Sequence, residues 1–248
     1  MIYKDFQETR LSALGLGCMR LPVVNGNNAE IDEAATSEML RYAFENGINY
    51  FDTAWGYHQG NSETIMGKLL KEYPRDSFYL ALKFPGYDLP NMSKAEEIFE
   101  SQLKKCKVDY FDFYLIHNVN EASIDAYLDD QTNGVRSYLF EQTRRGRIRH
   151  LGFSTHGSVA VMKKFLDAYR NEMEFFQIQL NWFDRRFQHA DKKIELLRSY
   201  DLPVWVMEPL RGGNWPNWTK GILMICAGLA LKERHHHGAL IFCGELIR

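Results

Sequence analysis

Ile48-Asn49-Tyr50-Phe51-Asp52 and Phe78-Tyr79-Leu80-Ala81-Leu82-Lys83 bracket the stretch whose reading decides the fold. Both runs are short, apolar and aromatic, as buried strands are. Between them Ile65, Met66, Leu69 and Leu70 recur at helical spacing, with Asn61 or Ser62 as the helix start. Strand, helix and strand in this order make a βαβ unit, whose two strands are parallel.

The same rhythm extends in both directions. Upstream, Leu14-Gly15-Leu16-Gly17-Cys18 reads as the first strand, and a helix is predicted over 32–46, with Ala35, Met39, Ala43 and Phe44 on one face and Gly47 as its stop. Downstream, Ser93-Lys94-Ala95-Glu96 has capping-box spacing and predicts a helix running to Cys106. Strands are expected over 111–116, 148–153, 175–180 and 203–207. Helices are expected over 135–145, before Gly146, from the cap Ser158, and over 191–199. A long loop is expected over 118–133.

Serial βαβ units favour a closed TIM (β/α)8 barrel, for which about 250 residues is usual. An open doubly wound sheet would show a GxGxxG turn after its first strand, and none is present. Residues 1–213 therefore read as one barrel-forming unit. From Asn214 the rhythm is lost, so 214–248 is expected to be atypical and the eighth unit truncated or aberrant. A helix over 222–231 and a strand over 239–243 could close the ring; an open barrel would expose the edges of the first and seventh strands.

Composition narrows the function. The 248 residues carry a net charge of −2, and 45% are hydrophobic, which excludes disorder and a basic nucleic-acid or membrane face. No apolar run approaches the roughly 20 residues of a spanning helix, and the N-terminus lacks a signal-peptide pattern. Four scattered cysteines without CxxC spacing read as reduced thiols of a cytoplasmic protein. Adjacent histidines, as in His235-His236-His237, point in different directions, and no metal site is expected.

Chemistry-bearing residues recur at matching places: Asp52 ends the second strand, Lys83 the third, His117 follows the fourth and Ser154 the fifth. In a parallel barrel these ends share one rim, and Tyr57, five residues past Asp52, can reach it. A tyrosine with a pKa of about 10 is a poor acid. A neighbouring ammonium favours its anion, and a carboxylate keeps a buried lysine charged. A histidine can orient an oxygen. Such a set suits protonating an oxygen on which charge builds. Each residue alone has a blander reading as a cap, a packing group or a core histidine. The sixth strand adds a face of amides, Gln177, Gln179 and Asn181, against an apolar face of Phe176, Ile178, Leu180 and Trp182.

Six motifs in order resemble the aldo-keto reductases: Leu14-Gly15-Leu16-Gly17-Cys18-Met19-Arg20-Leu21-Pro22, Phe51-Asp52-Thr53-Ala54-Trp55-Gly56-Tyr57 with Asn61-Ser62-Glu63, Lys83-Phe84-Pro85, Tyr114-Leu115-Ile116-His117, Gly152-Phe153-Ser154-Thr155-His156 and Pro209-Leu210-Arg211-Gly212-Gly213. The resemblance covers residues 1–213. It implies a barrel that binds NADPH, with NADH possible, and reduces a small-molecule aldehyde or ketone. It implies Asp52, Tyr57, Lys83 and His117 as the catalytic tetrad, Tyr57 being the proton donor. Ser154 and Gln177 would hold the nicotinamide carboxamide. Gly17, Cys18 and Met19 would line the cofactor beside Asp52. Met207 takes the place of a stacking aromatic, and Leu210 and Gly212 would flank the pyrophosphate. The wording is closest to the bacterial branch with a ferredoxin-like extension, whose iron-sulfur domain is not expected here. Two alternatives stay open: a cofactor-binding regulatory subunit with little turnover, and an inactive truncated reductase. A reading frame shifted after about Trp218, or a naturally shortened variant, would account for 214–248.

Overall fold

The computed structural model describes residues 1–181, 184–209 and the backbone of 240–243. A two-stranded hairpin, β1 (Tyr3–Phe6) and β2 (Thr9–Ser12), precedes the barrel. The barrel strands are β3 (Leu14–Gly17), β4 (Tyr50–Asp52), β5 (Tyr79–Pro85), β6 (Phe111–Val119), β7 (Ile148–Thr155), β8 (Phe175–Gln179), β9 (Val204–Met207) and β10 (Leu240–Cys243). They close in the order β10-β3-β4-β5-β6-β7-β8-β9, each pair parallel. Of the eighth unit, only the strand that the sequence offers over 239–243 falls among the described residues. Ile241 aligns with Leu14 on one side and Val206 on the other, so the edges of β3 and β9 are both paired. The rest of that unit, including the helix expected over 222–231 and the three histidines, lies outside the described residues.

The outer layer contains α1 (Glu33–Glu45), α2 (Ser62–Leu70), α3 (Ala95–Cys106), α4 (Ile124–Leu128), α5 (Asp130–Asn133), α6 (Val135–Arg144), α7 (Val159–Tyr169) and α8 (Ala190–Ser199). Asp32 caps α1 by accepting from Ala35 N at 3.0 Å, and Ser158 caps α7 by accepting from Val161 N. The capping box at Ser93 does not form. Residues Leu89–Lys94 make a 3-10 turn, and α3 starts at Ala95, where Ala95, Ile98, Phe99 and Gln102 present the buried face. Packing thus sets the start, overriding the local cap signal. The long loop holds the short helices α4 and α5, whose Ile124 and Tyr127 are buried.

Alternation along each strand sorts the core into two compartments. Outward-facing Phe51, Leu82, Tyr114, Phe153 and Phe176 join the helices in the large cluster. At the lower end of the barrel, Tyr50, Ala81, Phe113, Phe175 and Trp205 form a second cluster. The hairpin covers that end. Phe6 meets the Trp205 ring edge-on at 4.9 Å and the His150 ring at 5.1 Å. Gln7 donates to Glu174 at 2.6 Å, and Asn49 bonds the backbone of Arg10 and Ser12.

Gly67 shows how closely the outer layer packs. A Cβ there would lie 2.3 Å from the Lys105 carbonyl oxygen on α3. Gly67→Ala should destabilise by about 1–3 kcal/mol, because backbone cannot retreat as a side chain can. Urea unfolding measures this; a wild-type midpoint would show that α2 and α3 separate freely.

Candidate active site

The inward residues change character up the barrel. Tyr50 gives way to Asp52 on β4, Ala81 to Lys83 on β5, Phe113 and Leu115 to His117 on β6, and Phe175 to Gln177 on β8. Aromatic bulk at the bottom therefore ends in polar groups at the carboxyl rim. Asp52 and Lys83 are 4% and 1% exposed and form an ion pair. Lys83 Nζ also donates to Tyr57 OH at 3.1 Å and to the Thr53 carbonyl at 3.2 Å. Three acceptors around one ammonium satisfy its three protons. Burial opposes charge on Lys83, but Asp52 and then Tyr57 outweigh it, and its pKa lies above the ordinary lysine value. Burial likewise raises the Tyr57 pKa; Lys83 pulls it down, and the net shift remains upward. The resting phenol thus holds its proton at neutral pH, with the ammonium in place to stabilise the anion.

Tyr57 begins a 3-10 turn, Tyr57–Gly60, in which His58 and Gln59 have φ of 52° and 55°. Neighbouring side chains fix this turn. His58 Nε2 accepts from Leu21 N at 2.9 Å, and Nδ1 lies 2.9 Å from the Asn28 carbonyl. Asn61 donates to the Ala29 carbonyl, while Ser62 donates to the Cys18 carbonyl at 3.0 Å and contacts Thr53 Oγ1. The segment carrying Tyr57 is thereby tied to the loop after β3. These ties were not anticipated from sequence; a polar run straight after Tyr57 was their only signal. Another unforeseen link is Gln102, which donates to the Lys83 carbonyl and to buried Glu63, and accepts from Tyr114.

His117 sits past Ile116 on β6, in register with Pro85. Its Nδ1 lies 2.5 Å from Ser154 Oγ on β7, and its carbonyl accepts from Tyr127 OH at 2.7 Å. Tyr87 packs edge-on against the ring at 5.4 Å. Burial, then Lys83 and His156, hold the His117 pKa well below the usual histidine value. His156 is shifted the same way by burial. The folded state therefore binds fewer protons than the unfolded chain just below pH ~6.5, and stability should decline as pH falls from there toward the lower folded value. His117→Asn should flatten part of that slope in urea unfolding at pH 7 and pH 5. Identical slopes in both proteins would contradict the buried neutral ring.

The remaining expected residues divide. Gly17 ends β3 level with Asp52. Cys18 is fully buried; burial, then Asp52, push its thiol well above the ordinary range, which leaves it inert. Met19 is 47% exposed on the rim. Gln177 pairs with Ser154 in register, and its Nε2 reaches Asp52 Oδ2 at 3.3 Å. Gln177 Oε1 is buried without a partner among the described residues. Gln179 and Asn181 donate to Asp184 instead. Met207 is half-buried at the end of β9, in register with Gln179. Leu210, Gly212 and Trp182 lie outside the described residues. Trp55 is half-buried with Lys105 Nζ 4.0 Å above its ring. The basic run after α6 is paired at the surface: Arg144 and Arg145 with Glu141, Arg147 with Glu100.

The parallel eight-stranded barrel thus carries a buried Asp–Lys–Tyr cluster and a histidine at its carboxyl rim, the end where barrels of this kind place their active sites. The model of the Aldo/keto reductase family matches residues 13–222, and the chain belongs to that family. The chain is 33% identical over 200 residues to the aldo-keto reductase YhdN of Bacillus subtilis, covering 77% of this chain and 57% of that protein. It is 31% identical over 156 residues to probable aldo-keto reductase 1 of Glycine max, covering 60% and 42%. With the NADH-specific methylglyoxal reductase of Escherichia coli it shares 26% over 221 residues, covering 82% and 65%. The chain thus spans roughly half the length of these relatives. A crystal structure of an aldo-keto reductase from Klebsiella pneumoniae in complex with NADPH superposes with a TM-score of 0.73 at 18% identity, covering 99% and 86%, a likeness of fold.

Proposed function

We propose that the protein reduces a small aldehyde or ketone to an alcohol with a nicotinamide cofactor, NADPH or NADH. The observation that carries this reading is the buried Lys83 ammonium shared between Asp52 and the Tyr57 hydroxyl. Donor chemistry fits the cofactor: Gln177 Oε1 is a buried acceptor lacking a donor, and Ser154 Oγ beside it keeps acceptor capacity, as a carboxamide N–H pair requires. Ser154 and Gln177 would hold the carboxamide. Gly17, Cys18 and Met19 would line one side and Met207 the other, with Leu210 and Gly212 toward the pyrophosphate.

When bound, the reduced nicotinamide supplies the hydride that reaches the carbonyl carbon. Tyr57 transfers its hydroxyl proton to the carbonyl oxygen as charge gathers there. Lys83 stabilises the phenolate left behind, and Asp52 keeps Lys83 charged. His117 donates a hydrogen bond that orients the oxygen. In this reading residues 1–213 form the barrel unit, and 214–248 is an atypical segment that either completes it or fails to. The relatives' names, which include a methylglyoxal reductase, support a carbonyl substrate. The test is cofactor oxidation followed across a carbonyl panel, together with a fluorescence titration of NADPH. Turnover supports the proposal; binding without turnover across the panel would favour a regulatory subunit, and no binding an inactive reductase.

A further inference from the structure

We infer that Ser154 sets the tautomer of His117: the serine hydroxyl donates to Nδ1, which places the ring proton on Nε2. The carbonyl-reductase reading supplies the use of that proton, namely orienting the substrate oxygen, and the inference rests on that reading only there. The tautomer itself is a property of the unliganded chain.

Three observations converge. Ser154 is fully buried, and the hydrogen bond its hydroxyl makes is to His117 Nδ1. A serine hydroxyl has one proton and two lone pairs. If it accepted from an Nδ1–H, its own proton would be stranded in a dry site, whereas donation to Nδ1 satisfies it. Second, the ring stays neutral at the pH of interest, because burial and the nearby Lys83 ammonium both disfavour an imidazolium. A neutral ring with Nδ1 accepting must carry its hydrogen on Nε2. Third, Nε2 has no hydrogen-bond partner among the described residues, and His117 is only half-buried at the rim.

The ring is also restrained on its other sides. Tyr127 OH and Tyr87 N both bond the His117 carbonyl, and the Tyr87 ring stands edge-on to the imidazole. Rotation about the side chain would sacrifice the serine contact. Ser154 is therefore a positioning residue for His117, and its two lone pairs stay available to accept a carboxamide N–H. One oxygen would then link cofactor seating to the presentation of the histidine proton.

The test reads the ring directly, by nitrogen-15 and proton correlation spectra of the imidazole in the unliganded protein near pH 7.5. Wild type is expected to show Nδ1 unprotonated and Nε2 protonated. Ser154→Ala should shift the ring toward a mixture of tautomers and lower kcat about tenfold, the effect of one lost oriented hydrogen bond. Ser154→Thr, which keeps the hydroxyl, should restore both readouts. An Nδ1–H tautomer in wild type overturns the inference, as does an unchanged ring spectrum in Ser154→Ala. If the Nε2–H signature is found while no carbonyl is reduced, the tautomer assignment stands and the proposed activity fails.

Discussion

Tyr57→Phe should lower kcat by about 10²–10⁴-fold, the usual size of a general-acid contribution. The substitution removes one oxygen and leaves the ring, over which Lys83 Nζ lies 4.8 Å from the centroid. Packing and the Asp52–Lys83 ion pair are both retained. NADPH affinity, read by fluorescence, should therefore stay within a few-fold of wild type while turnover collapses. The upward shift of the Tyr57 pKa adds a pH signature. The phenol stays protonated through neutral pH, so the reductive rate should be level there and fall only in alkali, above the ordinary tyrosine value of about 10. Wild-type turnover in the Phe variant would remove Tyr57 from the mechanism.

Asp52→Ala should cost about 3–5 kcal/mol at pH 7, because it leaves a buried ammonium without its carboxylate. Both partners of this pair are almost wholly shielded, so solvent does little to screen the loss. In wild type the folded pKa of Lys83 lies above the unfolded value. Its contribution is complete below the unfolded pKa of about 10.4 and is lost only as pH rises through the folded one. Without Asp52, burial dominates and the sign reverses. The folded lysine then sheds its proton more readily than the unfolded one, so the variant should gain stability between pH 7 and 9.5. Adding Lys83→Met should recover much of the loss. Urea unfolding at the two pH values decides the matter; an Asp52→Ala protein within about 1 kcal/mol of wild type would show that the pair adds little.

The sequence carried the barrel because strand and helix periods alternate cleanly from Leu14 to Met207, and β4 to β8 each carry a polar residue at or near the carboxyl end. Asp52, Lys83, His117 and Ser154 could be placed on one rim by counting alone, and Gln177 followed from the alternation of β8. Features set by tertiary contact were not legible. The β1–β2 hairpin turns at Gln7-Glu8, with Gln7 at φ 49°, lacking the Asn-Gly signal that usually marks such a turn. Ser93 looked like a cap, yet the buried face of α3 fixed its start two residues later. The ties from His58, Asn61 and Ser62 to the loop after β3 join residues 30–44 positions apart, which no local pattern encodes. The strand offered by the apolar run at 239–243, by contrast, does pair with β3 and β9.

The hairpin beneath the barrel has a consequence for the electrostatics above it. Phe6, Phe113, Phe175 and Trp205 form an aromatic pedestal under Asp52 and Lys83. A charge standing on a weakly polarisable base cannot spread its field downward, so the lines concentrate toward the open mouth. Under the proposed function, such a floor would aim the field of the Lys83 ammonium at an oxygen resting against Tyr57. Wetting that floor would weaken the site from below while leaving every side chain in the mouth unchanged.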